Sequence, residues 1–538
     1  MSGKKTRVKA ALGRMPVAAE AYQAVLRNGR QPAGGYRLDR LNSALQGWVK
    51  AGLAARKLEP VLPEKRVLVV AYLPWWLEYA ASVSVLLASS GCEVGMAYFP
   101  FRKWTEPVQT FDRRRQSSHI KHVLSQAKPL FQLHDLSNPK ASSVTPDLAT
   151  RLESLSRNDV RYTLQREQLD KTSEEEAAAL YELRLERNLA AASSTLELID
   201  HEGYEVVLIP NGSILEFGAV YQAARAAGIT AVTYEFGEQR ERMWLAQNEQ
   251  VMRQNTAEIW AARGVDELNE GERAQLEAMY LARRSGLRWD RFDRQWQSAP
   301  SRGAEAIRVE LRLDPDRPIA LVCTNVVGDS LSLNRQVFTE GMADWLALTV
   351  KHFEDRAFGQ LVVRVHPGEM LGAGHPSAEV VREALPIMPA NVVVVGPDSE
   401  INTYDLIELA DIGLVYTSTV GLEMAMAGIP VVVAGETHYR SKGFTSDPNT
   451  QEEYLETVDQ LLEARGVSRL GEQERELAAR YAYRFFFEYP FRFPWHLIGF
   501  WEDVEQNPVE TVVEQPEQYL ETMLAMIGVP IDWSGHSE

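Results

Sequence analysis

A chain of 538 residues exceeds what one ordinary hydrophobic core supports, so two large domains are the default. With 45% hydrophobic, 24% charged and 9% aromatic residues, its composition is that of a folded protein and excludes long disorder. The net charge of −17 opposes non-specific nucleic-acid binding, and no apolar run reaches the roughly 18 residues that span a bilayer.

Residues 1–60 read as an N-terminal helical extension. Its start carries Lys4, Lys5, Arg7, Lys9 and Arg14 but no apolar signal-peptide core. A frayed, solvated end fits the usual behaviour of termini, with contact to an anionic membrane as the alternative. An N-terminal α/β domain is expected over 61–260. It opens with the apolar run Arg66–Tyr72, then a helix from Trp75 to about Ser90 ended by Gly91, then a strand over Glu93–Tyr98, which makes a β-α-β unit. A second such unit runs through Glu205–Pro210, a helix of about Ile214 to Ala227, and Thr230–Glu235; the Ala/Glu/Leu-rich stretch from Ser173 to Ile199 between them reads as helix.

Residues 261–304 are polar and helix-prone, as an interdomain connection would be. A second α/β domain is expected over 305–471, with strands at Pro318–Thr324, Gln360–His366, Asn391–Val395, Ile412–Tyr416 and Pro430–Ala434. Such near-continuous Val/Ile/Leu runs predict a doubly wound parallel sheet buried on both faces. From 472 to 538 the pattern turns helical and aromatic; the stripe Tyr481–Trp495 fits a packed core better than a membrane contact. Cys92 and Cys323, the two cysteines, sit in apolar runs and read as buried thiols of a reducing cytoplasm.

Ligands of open α/β sheets bind beyond the carboxyl ends of the strands. Three such ends in the second domain carry polar chemistry. Thr324–Ser330, with Asn325, is explicable as turn chemistry or as a ligand loop. Arg364 and His366 alternate onto one strand face, two potential cations that want either an anion or a neighbouring carboxylate. Thr417, Ser418 and Thr419 precede a helix in which Gly421 and Glu423 follow, a setting suited to phosphate or to ordinary capping. A capping box needs its acid three residues after the cap, which would be position 421 or 422, so Glu423 is out of register for it and calls for another partner. The segment Gly435–Thr445 is either an exposed loop or a cover for a ligand, with Tyr439, Arg440 and Lys442 as its donors.

The succession Arg364-Val-His-Pro367, Asp405–Asp411, Ser418–Glu423, Gly428–Val431 and His438–Thr445 resembles the capsule polysaccharide biosynthesis family, which includes Kdo transferases, and the wider GT-B group that uses CMP-activated sugars. The resemblance is good over about 318–450, moderate over 204–240, and absent from the first 60 residues. It implies a GT-B α/β fold, two Rossmann-like parallel-sheet domains facing a cleft, with a C-terminal helix crossing back to the first. It further implies His366 and Ser418 or Thr419 at the donor phosphate, Glu423 on the nucleotide, and a metal-independent glycosyltransferase. Asn325, Arg364, Thr417, Gly421, Tyr439 and Lys442 complete the expected nucleotide-sugar site. No cofactor is expected beyond that co-substrate. Asp314-Pro-Asp316 precedes a strand and reads as a turn.

Transfer of a sugar also needs a base for the acceptor hydroxyl. Glu235, at a strand exit of the first domain, is the candidate, with a plain surface acid as the other reading. Asn211 and Gly212 form a turn that would line the acceptor side, and Glu216 is the substitute acid. The acidic motif that supplies the base in CMP-sialic acid enzymes has no single counterpart here. The expected partners are thus a nucleotide sugar, CMP-Kdo or another CMP-sugar, and a glycan or lipid-linked acceptor, with no nucleic acid. The expected place is the cytoplasm, with the inner membrane face as a peripheral option. The alternatives are a CDP-glycerol-type glycerophosphotransferase, a UDP-GlcNAc 2-epimerase-like enzyme and a GT-B-like binding scaffold.

Overall fold

Apolar runs become strands here because both of their faces are covered. In the computed structural model, which describes residues 2–27, 38–137, 144–167, 174–237, 239–285, 299–354, 359–371, 377–464 and 469–535, the chain divides into two units. The first takes Met1–Asp159, Glu175–Met252 and Phe491–Ile531; the second takes Val160–Glu174, Arg253–Pro490 and Asp532–Glu538. The change of unit after Met252 precedes the connection expected at 261–304, of which 286–298 lies outside the described residues. Ser173, where a helix was expected to begin, also lies outside them; the helix itself is Glu174–Glu202.

The first unit holds β1 (Arg66–Tyr72), β2 (Glu93–Phe99), β3 (Phe131–Asp135), β4 (Val206–Pro210), β5 (Thr230–Glu235) and β6 (Arg242–Gln247). The second unit holds β7 (Ile319–Cys323), β8 (Gln360–Arg364), β9 (Val392–Val395), β10 (Ile412–Val415) and β11 (Val431–Val433). The short β12 (Phe491–Arg492) returns to the first sheet. That sheet runs β12-β6-β5-β4-β1-β2-β3. It is parallel except at β6, which pairs antiparallel with both β5 and β12. The second sheet is β11-β10-β7-β8-β9, parallel throughout. Each therefore contains a central strand from which the chain winds outward in both directions, the Rossmann-like order. Two Rossmann-like units in one chain are what the GT-B resemblance implied.

Two terminal expectations change. The N-terminus is a helix, Ser2–Arg14, followed by Ala18–Arg27. It is tied to the helix Thr110–Leu124 by Lys9–Asp112 at 2.7 Å and by Arg114, which holds both carboxylate oxygens of Glu20 at 2.8 and 2.5 Å. The aromatic stripe is not one helix: Glu472–Tyr483 widens into a π turn at Arg484–Glu488 and gives way to β12. Its rings are core, since Phe485, Phe487, Phe491, Phe493 and Trp495 are all buried. Cys92 and Cys323 are buried free thiols, both pushed up to about 12 by burial.

In the first unit, Glu78 lies within the otherwise apolar helix Pro74–Ser89 and accepts from Trp501 Nε1 at 2.9 Å. Burial raises its pKa to about 7, more than that bond and Arg40 lower it. Because the folded value exceeds the unfolded one, the protonated acid favours the fold; its contribution is full below about 4.5 and is lost as pH rises through about 7. Glu78→Gln, which keeps an acceptor for Trp501, should therefore be more stable than the parent above pH 7 by on the order of 1–2 kcal/mol, allowing for partial exposure, with the gap closing toward pH 5. Urea denaturation at pH 5 and pH 8 checks this; an equal gap at both would contradict it.

Candidate functional site

The register of the second sheet sets Cys323 on β7 beside Arg364 on β8 and Val415 on β10. The next residues of all three strands leave the sheet edge together. There the ladder is continued by side chains. Thr324 N–H donates to Arg364 O (3.1 Å), His366 N–H to Thr324 Oγ1 (3.0 Å), and Thr417 N–H to Asn325 Oδ1 (3.1 Å). The β7 and β10 crossovers depart to opposite sides at this point, which is the switch point where open α/β sheets take ligands.

His366 was counted from sequence as a potential cation. Its Nδ1 accepts from Gly368 N–H at 2.9 Å, so the neutral ring carries its proton on Nε2. Burial and the neighbouring Arg364 charge depress its pKa to about 4. Of the two, Arg364 carries the positive charge at this strand end. Arg364 is 4% exposed, donates through Nε to Thr403 Oγ1 at 3.3 Å and through its guanidinium to Gly396 O. Among the described residues no carboxylate pairs with it, and burial holds its pKa below the usual arginine value.

The hydroxyl segment behaves differently from an ordinary cap. The helix after it is Val420–Met426, and Thr419, at its N-cap position, makes no side-chain capping bond. Ser418 is buried and offers its carbonyl to Tyr439 Oη at 2.5 Å; Thr417 Oγ1 donates to Leu331 O at 3.2 Å. Gly421 is required by this packing: a Cβ there would stand 2.4 Å from Tyr439 Oη and 3.0 Å from Val415. Gly421→Ala should cost about 1–3 kcal/mol of stability, read from a chemical melt.

Glu423, the acid that capping did not explain, has protein partners. It is 2% exposed, receives a hydrogen bond from Tyr404 Oη and pairs with Arg283 from the helix Glu270–Arg284. Arg283 itself lies over the Phe486 ring at 4.9 Å. No local pattern points to Arg283, which is 140 residues away in a stretch read as a connection. The nucleotide is therefore not needed to account for Glu423. Glu423→Ala would take the carboxylate from buried Tyr404 and from part-buried Arg283 and should destabilise the chain by about 1–3 kcal/mol in thermal or urea unfolding.

The remaining loop donors divide. Tyr439 is fully buried against Ser418, and Arg440 donates to the carbonyls of Val433 (2.8 Å), Asp447 (2.9 Å) and Pro448 (2.5 Å), so both organise the loop. Lys442 is half-buried, and desolvation lowers its pKa with no carboxylate opposing it. The Asp405–Asp411 motif is structural at both ends: Asp405 accepts from Ser301 Oγ (2.5 Å) and Arg302 N–H (2.9 Å), and Asp411 from Ile319 N–H (2.8 Å). Asp314 accepts from Asp316 N–H at 2.9 Å, the turn read from sequence.

In the first unit, Glu235 at the end of β5 is half-buried and accepts from Asn211 Nδ2 at 3.2 Å and Phe236 N–H at 3.1 Å. Asn211 adopts φ 58° and Gly212 φ 78°; a Cβ on Gly212 would meet Thr233 at 2.4 Å, so this turn is fixed by sterics. Glu216 is placed elsewhere. It is fully buried and clamped by Arg184 at 2.8 and 3.2 Å, in a network with Asp159 and Asn188, and its carboxylate is engaged in holding the core.

The segment that carries the second-unit site is also the one that compares with known proteins. The model of the family described as capsule polysaccharide biosynthesis protein matches residues 273–465. Over that segment, about a third of the chain, the sequence is similar to that family. No curated protein matches the chain. Among solved structures, the β-Kdo 2,4-transferase of KpsC from Thermosulfurimonas dismutans is similar at 18% identity, over 52% of this chain and 80% of that one, with a TM-score of 0.32. The β-Kdo 2,7-transferase of the same KpsC follows at 16%, 53% and 79%, with 0.30. UDP-GlcNAc 2-epimerase from Neisseria meningitidis stands at 11%, 78% and 99%, with 0.27. Likenesses this distant identify no reaction. Among the described residues no group of three or more His, Cys, Asp or Glu is arranged to hold a metal ion, and no helix is long and apolar enough to cross a membrane.

Proposed function

We propose that the chain is a glycosyltransferase of capsule polysaccharide synthesis that holds the phosphate of a nucleotide-sugar donor at the switch point of its second sheet. The observation that carries this reading is the pair of strand-end bonds His366 to Thr324 and Thr417 to Asn325, flanked by the Ser418 and Thr419 hydroxyls, of which Thr419 makes no capping bond, and by a buried Arg364 with no carboxylate paired to it among the described residues. The family match over 273–465 contains all of it.

In the reaction so read, an acceptor hydroxyl oxygen attacks the anomeric carbon as the bond from that carbon to the phosphate oxygen breaks. The hydroxyl proton passes to Glu235, and the charge gathering on the leaving phosphate is met by the His366 Nε2–H and the hydroxyls of Ser418 and Thr419. A neutral donor suits His366, whose depressed pKa keeps it uncharged at physiological pH. Positive charge comes from Arg364, and Lys442 is the residue of the 435–445 loop left to reach the donor. The donor is a CMP-sugar, CMP-Kdo among them, the acceptor a surface or capsular glycan, and no metal ion takes part.

Calorimetric titration with CMP, CDP, UDP and GDP tests the site. CMP or CDP should bind, and His366→Ala should weaken binding by roughly tenfold with an unchanged melting temperature. Binding by none of the four would remove the donor reading; binding of UDP alone would favour the epimerase alternative. Since His366 stays neutral down to about 4, nucleotide affinity should lack a histidine titration between pH 5.5 and 8. Glu235→Gln should abolish transfer while leaving nucleotide affinity in place.

A further inference from the structure

The first unit contains a cavity of about 330 Å³ that none of the residues above uses. It opens at the carboxyl end of the edge strand β3 and is lined by Arg113, Arg114, Ser117, Ser118 and Lys121 from the helix Thr110–Leu124 together with Glu20, Asp135 and Ser137. Residues 113, 117 and 121 recur every four positions and so share one face of that helix.

The charges in the lining do not cancel. Arg114 is held by Glu20 and by the carbonyls of Gly13 (3.0 Å) and Met15 (2.8 Å), so that pair is closed. Asp135 is bound by Ser137 N–H (3.0 Å), Ser137 Oγ (2.6 Å) and Ser117 Oγ. Arg113 donates through Nη1 to Ser137 O at 2.9 Å, but its Nε, shielded from solvent, has no hydrogen-bond partner among the described residues. Neither Arg113 nor Lys121 forms an ion pair with a carboxylate among the described residues. Two cations against one well-bonded carboxylate leave the cavity electropositive inside a protein of net charge −17.

The hydroxyls add a second requirement. Ser117 and Ser137 spend their protons on Asp135, and Ser117 Oγ also accepts from Tyr98 Oη at 3.0 Å, so what remains is one lone pair on Ser117 and those of Ser137, which accept from hydroxyl groups. Arg113 and Lys121 stand two helical turns apart, about 12 Å of rise, with Ser117 between them. A bare inorganic anion would leave most of that lining unused. The volume lies at the lower end of small-ligand pockets, which start at about 300 Å³.

We propose that this cavity binds a sugar bearing an anionic group, phosphate or carboxylate, with the anion on Arg113 and Lys121 and the sugar hydroxyls on Ser117 and Ser137. The site stands apart from the nucleotide reading, and its test involves no nucleotide. Calorimetry on the full chain uses glucose 6-phosphate, glucuronate, glucose and inorganic phosphate. At least one anionic sugar should bind in the millimolar range or tighter, and glucose roughly tenfold more weakly. The stronger of glucose 6-phosphate and glucuronate identifies the anion. Lys121→Glu, at an exposed position, should reduce that affinity by roughly tenfold or more without lowering the melting temperature, and Arg113→Gln should do likewise. No binding of either anionic sugar at about 10 mM, equal binding of glucose, equal binding of inorganic phosphate, or unaltered affinity in both variants would each overturn the proposal.

Discussion

The second-unit site depends on the register of β7 between β8 and β10. Cys323 pairs with Arg364 on one side and Val415 on the other, so the three strands end in step and their first free residues can bond to one another. A slip of one residue in either pairing would turn the alternating side chains to the opposite face and separate Thr324 from His366 and Asn325 from Thr417. Packing enforces that register: Ala320, Val322, Leu361, Val363, Ile412 and Leu414 interlock with Trp345, Leu346 and Tyr454 in one continuous core. The geometry at the edge is in this sense a by-product of close-packed side chains behind it.

Charge placement follows a second constraint, that ions taken from water need compensation. Glu216 meets Arg184, and Glu423 meets Arg283 and Tyr404. Each acid thereby anchors a helix to a neighbouring element within its own unit. Arg364 departs from the pattern, being satisfied by a carbonyl and a hydroxyl and, among the described residues, by no carboxylate.

Much of this was legible in the sequence, for identifiable reasons. β1 and β5 fall where the apolar runs put them, and the others of the parallel cores within two residues, because strands buried on both faces leave an unbroken Val/Ile/Leu signature. β3, β6 and β12 were missed: Phe131–Asp135 and Arg242–Gln247 mix polar with apolar residues, and a two-residue strand has no pattern to detect. At the site, residues adjacent in sequence, such as Thr417 to Thr419, were found by local spacing. The partners of Glu423 were not, because ion pairs between distant segments leave no periodicity. The charge state of His366 was misjudged for the same reason, since burial and a neighbour's field are properties of the folded chain.

The link between Glu423 and Arg283 has an evolutionary corollary. Helix Val420–Met426 is only seven residues long, and its acid is fastened to a side chain from a helix that precedes the second sheet altogether. Arg283, Tyr404 and Glu423 therefore form one physically linked unit. Drift at any one of them exposes the other two to selection, so related chains should keep all three or replace them as a set.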